Sequence, residues 1–351
     1  MSSDYKVDLE SLLYGYYIKY DKLSELINTI SVNYQVNNID IYIDLYDALK
    51  NMYSTNIYTS KRLVIVSSII NMVAHYRGYF RTRHNVETRI FLVYGEDITT
   101  NHTQYVREYK EISRNLERMN YAENDAMIKS QLDMVKLLCA YIPDVYFVRR
   151  ATNSAMFIYS NILENNNLAL IISKSRYMYQ IPAIINSNVY ILRPKKKQGQ
   201  DISYLISHQN ALLYQFDKCS NPKLKEFSPL LMSLLLALNG FGSYNIPTKC
   251  NITTACNLLH KAILDGKINN WHNPDPVFVY SKLDFSVTRF ISISELKFRF
   301  MAIDIINQHM LYQNMIESKD ITWNINLYDP ETVKSIANKY FIDNPLDLNN
   351  L

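Results

Sequence analysis

Glycine is the residue this sequence most lacks: there are 7 in 351 positions, where about 7% is usual. Two of the seven, Gly240 and Gly242, stand within three residues of each other. Collagen-like repeats and Gly-rich linkers are excluded. No glycine spacing fits a GxGxxG or GxxxxGK phosphate loop, so a nucleotide is not cradled that way. Cysteine is scarce too. Cys139, Cys219, Cys250 and Cys256 form no CxxC pair, which argues against zinc and for a reduced compartment. Long apolar runs are also missing. The longest, SPLLMSLLLALNGFG, is cut by Gly240, short of the ~18 residues a membrane span needs. The opening MSSDYKVDLESLL carries early acids, unlike a signal peptide. The expectation is a soluble, cytoplasmic protein with no membrane partner.

What is present is a core-forming composition. Apolar residues make up 48% and charged residues 20%, with a net charge of +4, which excludes intrinsic disorder. Tyrosines (29) far outnumber phenylalanines (13), and Asn and Ile are common. AT-rich codons favour this bias, so a viral or phage source is expected, with the host cytoplasm or a virion as the setting. The seven histidines show no HxxxH or HExxH spacing and no GxSxG elbow exists, so nucleophile triads find no support.

Residues 9–30 repeat apolar positions at helical spacing. In IDIYIDLYDAL, Ile39, Ile41 and Ile43 alternate with Asp40, Tyr42 and Asp44, predicting a strand that runs into a helix near Asp44. Helices are expected over 61–78, over the polar, charged stretch 101–139, and over 153–163. Strands are expected at 90–95, 144–148, 168–173 and 188–192. This alternation predicts a largely parallel sheet covered on both faces. RPKKKQGQD (193–201) is a basic, polar boundary. Beyond it the pattern predicts helices over 202–218, 226–239, 252–265 and 295–317.

Several segments, in order, resemble the 5′-nuclease superfamily of flap endonucleases, phage 5′–3′ exonucleases and the 5′-nuclease domain of bacterial DNA polymerase I. YIDLYDAL resembles the opening strand motif, with Asp44 at the strand-end Asp. FLVYGED resembles the second strand. REYKEISR places Tyr109, Lys110 and, one residue late, Arg114 at the helical arch. LALIISKSRYMYQI resembles the SGDKDxLQL turn, with Ser173 and Gln180 matching. LLLALNGFGSYNIP resembles ALxGDxSDNIPG, and TTACNLL resembles the following helix. The resemblance covers roughly residues 39–265. It implies an α/β fold with a PIN-like, mostly parallel central sheet flanked by helices, then a helical helix–three-turn–helix region and a helical C-terminal extension. The expected divisions are an N-terminal helical extension (1–38), the nuclease-like α/β domain (39–200), the degenerate helix–three-turn–helix region (201–270) and the C-terminal extension (271–351).

The resemblance also implies a carboxylate cluster holding two divalent metals, which activate water and stabilise the leaving oxygen. The acids are missing. Gly95 takes the second-strand Asp position, and Ala151-Thr152-Asn153-Ser154 takes that of Glu-Ala-Asp-Asp. Lys174-Ser175-Arg176-Tyr177 replaces the GDKD turn, and Gly240-Phe241-Gly242-Ser243-Tyr244 replaces GDxSD. Only Asp44 remains. The degenerate positions are thus Gly95, Asn153, Ser154, Ser175, Tyr177, Phe241 and Tyr244. One carboxylate cannot hold two Mg²⁺, and Lys174 or Arg176 would repel them. No catalytic residue, metal or cofactor is expected. Mg²⁺ enters only if Asp40, Asp47, Glu96 and Asp97 form a relocated cluster; as solvated strand-end acids they do not.

Basic residues supply candidate DNA contacts. Arg107, Lys110, Arg114 and Arg118 share a helix face. Lys195, Lys196 and Lys197 form a second group, Lys174 and Arg176 a third, and Arg77, Arg81 and Arg83 a fourth. Nearby Tyr76, Tyr79, Tyr105 and Tyr109 offer rings on which bases stack. Glu108, Glu111 and Glu117 lie among the arch cations, so a solvated, paired face competes with DNA binding. The added N- and C-terminal helices present apolar faces for a protein partner. Two readings stand: an inactive nuclease-like protein that binds branched or single-stranded DNA in replication or repair, or a structural scaffold. An active metal-dependent nuclease with relocated ligands ranks last.

Overall fold

The computed structural model describes residues 16, 23–24, 28, 38–53, 64–95, 121–150, 154–165, 167–185, 188–194, 196–197, 200–201, 203–216, 221–241, 246, 248–268, 276–283, 291–313, 331–332 and 335. They fall into two compact units. One draws on 1–174, 191–205 and 320–351, the other on 175–190 and 206–319.

The sheet is built from β1 (Asn38–Asp44), β2 (Glu87–Gly95), β3 (Val145–Arg150), β4 (Leu168–Ile172), β5 (Val189–Arg193) and, after a two-residue hairpin of β6 (Lys196–Lys197) and β7 (Gln200–Asp201), β8 (Tyr204–Ile206). Its order is β3-β2-β1-β4-β5-β8. The pairs β1–β2, β1–β4 and β2–β3 are parallel. The fold is α/β with a mostly parallel sheet, as the alternating pattern implied.

Parallel neighbours need long crossovers, and helices supply them. Between β1 and β2 run α1 (Leu45–Tyr53) and α2 (Val64–His84). Next come α3 (Tyr121–Cys139) before β3 and α4 (Ser154–Asn165) before β4. A central strand covered on both faces buries every residue, odd or even. Residues 39–44 of β1 and all of β4 are indeed buried. This corrects the reading of Asp40 as a solvated acid. Asp40 is 1% exposed and accepts two bonds from Arg89, at 2.7 Å and 2.6 Å, from the paired position on β2. On the same three strands Tyr42 stacks on Phe91 and Phe91 on Tyr146, with centroids 4.9 Å and 5.0 Å apart.

The second unit holds α5 (Gln180–Ile184), α6 (Ala211–Gln215), α7 (Met232–Asn239), α8 (Ile252–Leu264), α9 (Pro276–Lys282), α10 (Ile293–Ile303) and α11 (Ile305–Gln313). Two expected helices differ. The stretch 202–218 contains strand β8 and only a short helix, because a brief apolar run such as Tyr204–Ile206 suits either state. The expected single helix over 295–317 breaks at Asp304, whose backbone is extended (ψ 121°). There Asp304 caps α11 by accepting the Asn307 N–H at 3.0 Å, as N-terminal aspartates do.

Fully buried Gln180 binds both sides of this break. It donates to the Ile303 carbonyl (2.9 Å) and accepts from the Ile305 N–H (3.1 Å) and the Ser233 hydroxyl (2.8 Å). Gly240, at φ +103°, ends α7 and turns the chain into an antiparallel bridge between Phe241 and Ile246. A Cβ is strained at that φ, so glycine is required. No described helix is long and apolar enough to cross a membrane.

Candidate functional site

In an open parallel sheet, ligands bind beyond the carboxyl ends of the strands, where the strand order reverses. Here that point is β1, flanked by β2 on one side and β4 on the other. Its last residue is Asp44.

Asp44 is buried at 3% exposure. Its Oδ1 accepts from the Ser154 hydroxyl at 3.0 Å and from the Asp47 backbone N–H at 3.3 Å; its Oδ2 accepts from the Ser173 hydroxyl at 2.9 Å. The Asp47 bond makes Asp44 the N-cap of α1. Ser154 opens α4 and Ser173 follows β4. Both carboxylate oxygens are therefore used within the fold. Burial, then the charge of Asp47, pushes the Asp44 carboxyl up to about 7, against the pull of the three donors.

Asp47 lies one turn along α1, half-buried. Its Oδ2 accepts from the Tyr16 hydroxyl at 2.6 Å and from the Lys174 backbone N–H at 2.8 Å. Lys174 places its ammonium 4.9 Å from the centroid of the Tyr16 ring, a cation–π distance. Burial lowers the Lys174 pKa, while Asp47 opposes that fall. Burial, followed by Asp47 and Asp44, raises the Tyr16 phenol well above its ordinary value. Asp47 is thus a bonded member of the site and not a solvated acid.

The structure brings together Asp44, Asp47, Ser154, Ser173 and Lys174 of the residues named from the sequence, and adds Tyr16 as a partner. Ser173 was visible as a motif match, and Asp47 as one of the acids of a conceivable relocated cluster. Tyr16 had no signal beyond an amphipathic pattern. Gly95 is the buried last residue of β2, paired with Arg150. In the second unit, Ser175 precedes a 3₁₀ turn, Arg176–Tyr179, in which Arg176 donates to the Gln215 carbonyl at 3.3 Å. Tyr177 is fully buried and Phe241 is buried in its bridge. Lys196 and Lys197 form one strand of the small hairpin. Arg107, Lys110, Arg114, Arg118, Asn153, Lys195 and Tyr244 lie outside the described residues.

One expected nucleic-acid face is corrected in part: Arg81 is exposed, but Arg77 and the two tyrosines are not. Tyr76 and Tyr79 are fully buried, and Arg77, 6% exposed, donates to the Pro143 carbonyl at 2.7 Å. Helix α2 is covered on nearly all sides over residues 65–80, so these three side chains pack instead of facing solvent. Among the described residues no three His, Cys, Asp or Glu side chains gather as a metal-binding group.

No protein-family model matches the sequence, and no curated protein matches it. Solved structures do. A bacteriophage T5 flap endonuclease, in a pseudo-enzyme–product complex with DNA and metal ions, matches 87% of this chain and 98% of its own. The identity is 10% and the TM-score 0.50. The T5 protein co-crystallized with metal ions matches over the same shares at 9% identity and a TM-score of 0.50. At such identities the likeness is one of fold: this chain has a fold similar to that of the T5 flap endonuclease.

Proposed function

We propose that this chain is a catalytically inactive 5′-nuclease-like protein that binds branched or single-stranded DNA in viral or phage replication or repair. One observation carries the loss of catalysis: both oxygens of Asp44 accept hydrogen bonds from the chain's own donors. Two-metal hydrolysis needs carboxylate oxygens free to bridge hard cations and to position water between them. Beside Asp44 stand the hydroxyls of Ser154 and Ser173 and a single further acid, Asp47, whose Oδ2 is itself taken by the Tyr16 hydroxyl and the Lys174 N–H. These residues do not fit a pair of divalent metals, and no step is drawn through one.

DNA retention is supported by the fold and by the cations. A solved relative with this fold was captured as a pseudo-enzyme with DNA. In this chain the arch sequence keeps Arg107, Lys110, Arg114 and Arg118. Cations of this kind neutralise phosphates and release counterions, so binding weakens steeply with salt.

The second reading is a scaffold without nucleic acid. It is favoured by the apolar side chains exposed in the second unit, Leu264, Phe278, Met301 and Met310. Incubation with a 5′-flap DNA, with and without Mg²⁺ or Mn²⁺, decides among these. The expected result is no cleavage and salt-sensitive retention. Metal-dependent cutting abolished by Asp44→Ala overturns the inactive reading; absence of binding at low salt leaves the scaffold.

A further inference from the structure

The groups that close the Asp44–Asp47 pair do not all come from the sheet. Tyr16 lies far upstream in sequence, before β1, and is fully buried. Its hydroxyl is bonded to Asp47 and its carbonyl accepts from the Tyr76 hydroxyl of α2. Leu23 is fully buried, and Ser24 shares a 2.9 Å hydrogen bond with Tyr79. Two tyrosines of one helix thus anchor this stretch at two points, which accounts for their burial.

Tyr16 acts on the site through both of its chemical faces. The O–H gives Asp47 a neutral donor, and the ring holds the Lys174 ammonium. Lys174 adds its own N–H to the same Asp47 oxygen. A divalent cation ligating this pair needs oxygen lone pairs at about 2.0–2.6 Å. Those lone pairs face hydroxyl and amide hydrogens, with a fixed positive charge close by.

We infer that Tyr16 is an internal plug, with Lys174 as a built-in counter-cation, that takes the place of a divalent metal at Asp44–Asp47; this rests on the reading of the site as non-catalytic and adds what closes it. An element outside the nuclease-like region, and not only the loss of acids, then excludes the ion.

The test is Mn²⁺ binding by the full chain, followed by electron paramagnetic resonance and calorimetry. Wild type is expected to show no saturable binding that depends on Asp44. The Tyr16→Ala/Lys174→Ala variant is expected to gain one saturable site and to lose it again on adding Asp44→Asn. Saturable wild-type binding abolished by Asp44→Asn overturns the plug. So does a double variant that is folded by circular dichroism yet binds no more Mn²⁺ than wild type. Should that variant not fold, Tyr16→Phe/Lys174→Met keeps the ring and most of the volume. Its expected gain in Mn²⁺ affinity is at least about tenfold, from removal of a neighbouring positive charge and a competing donor; no gain overturns the inference. Cleavage and DNA retention are not read here, so the plug and the proposed function can fail separately.

Discussion

The Ser154 hydroxyl donates a 3.0 Å hydrogen bond to Asp44 Oδ1 across 110 positions of chain. It comes from a helix start that the resembled nucleases write with acids. Where a carboxylate would repel Asp44 and share a cation with it, a hydroxyl satisfies it directly. Ser173 does the same for the other oxygen at 2.9 Å. These bonds make an internal polar joint between β1, α4 and the end of β4.

If the joint is structural, its donors hold stability. Ser154→Ala and Ser173→Ala are each expected to cost about 1–3 kcal/mol in urea unfolding, the usual penalty for a buried acceptor left unmade. Each also removes a bond that favours the ionised carboxylate, so the Asp44 pKa rises further. A ¹³C-carboxyl NMR titration reads that shift. Unchanged stability in both variants would contradict the role.

Asp44 also imposes a pH dependence with a definite sign. Its folded pKa, about 7, exceeds the roughly 3.9 of an unfolded aspartate. The native state therefore binds the extra proton between about pH 4 and 7, and this contribution falls as pH rises through that window. Asp44→Asn removes it. The stability of wild type minus that of Asp44→Asn should shrink by up to about 4 kcal/mol from pH 4 to pH 8. Urea unfolding of both proteins at several pH values checks this, and a difference that grows with pH would refute it.

On β1 and β2, Asp40 and Arg89 form a two-point pair whose acid is buried. Arg89→Ala leaves that carboxylate with the Asn167 amide at 3.2 Å. The expected loss is about 3 kcal/mol, the low end for a broken buried pair because Arg89 is a third exposed. Arg89→Lys should recover only part, since an ammonium cannot reproduce the planar fork. Thermal and urea unfolding give both values.

In the second unit, Gln180→Ala strands the Ile303 carbonyl and the Ile305 N–H and leaves the Ser233 hydroxyl with Asp304 alone. A loss of about 3 kcal/mol or more is expected, combining unmade hydrogen bonds with a cavity. Hydrogen exchange should rise first at the α10–α11 junction. Gln180→Glu keeps the acceptor and the volume but loses the donor to Ile303, so its loss should be smaller near the acid limit than at neutral pH.

Much of the fold was legible before any coordinates. The strand at 38–44, the helix after it, and the strands near 90–95, 145–150, 168–172 and 189–193 follow from short β-branched runs separated by helical periodicity. Asp44 was legible as a strand-end acid, and the losses at Gly95, Ser154 and Lys174 as substitutions. The break at Asp304 was not, because apolar spacing continues across it. What ends α10 there is an aspartate cap held by Gln180, more than 100 residues upstream.

The scarcity of glycine and of clustered acids was determined by the sequence alone: no phosphate loop, and no full set of metal ligands at the motif positions. These are local properties, set by which atoms a residue carries and which torsions it allows. Only tertiary structure decided that Asp40 and Asp44 are buried, that Tyr76 and Tyr79 face inward, and that Tyr16 reaches Asp47. Each outcome depends on what covers a strand or helix from distant parts of the chain. Burial and long-range hydrogen bonds are properties of pairs, and no single segment contains both members.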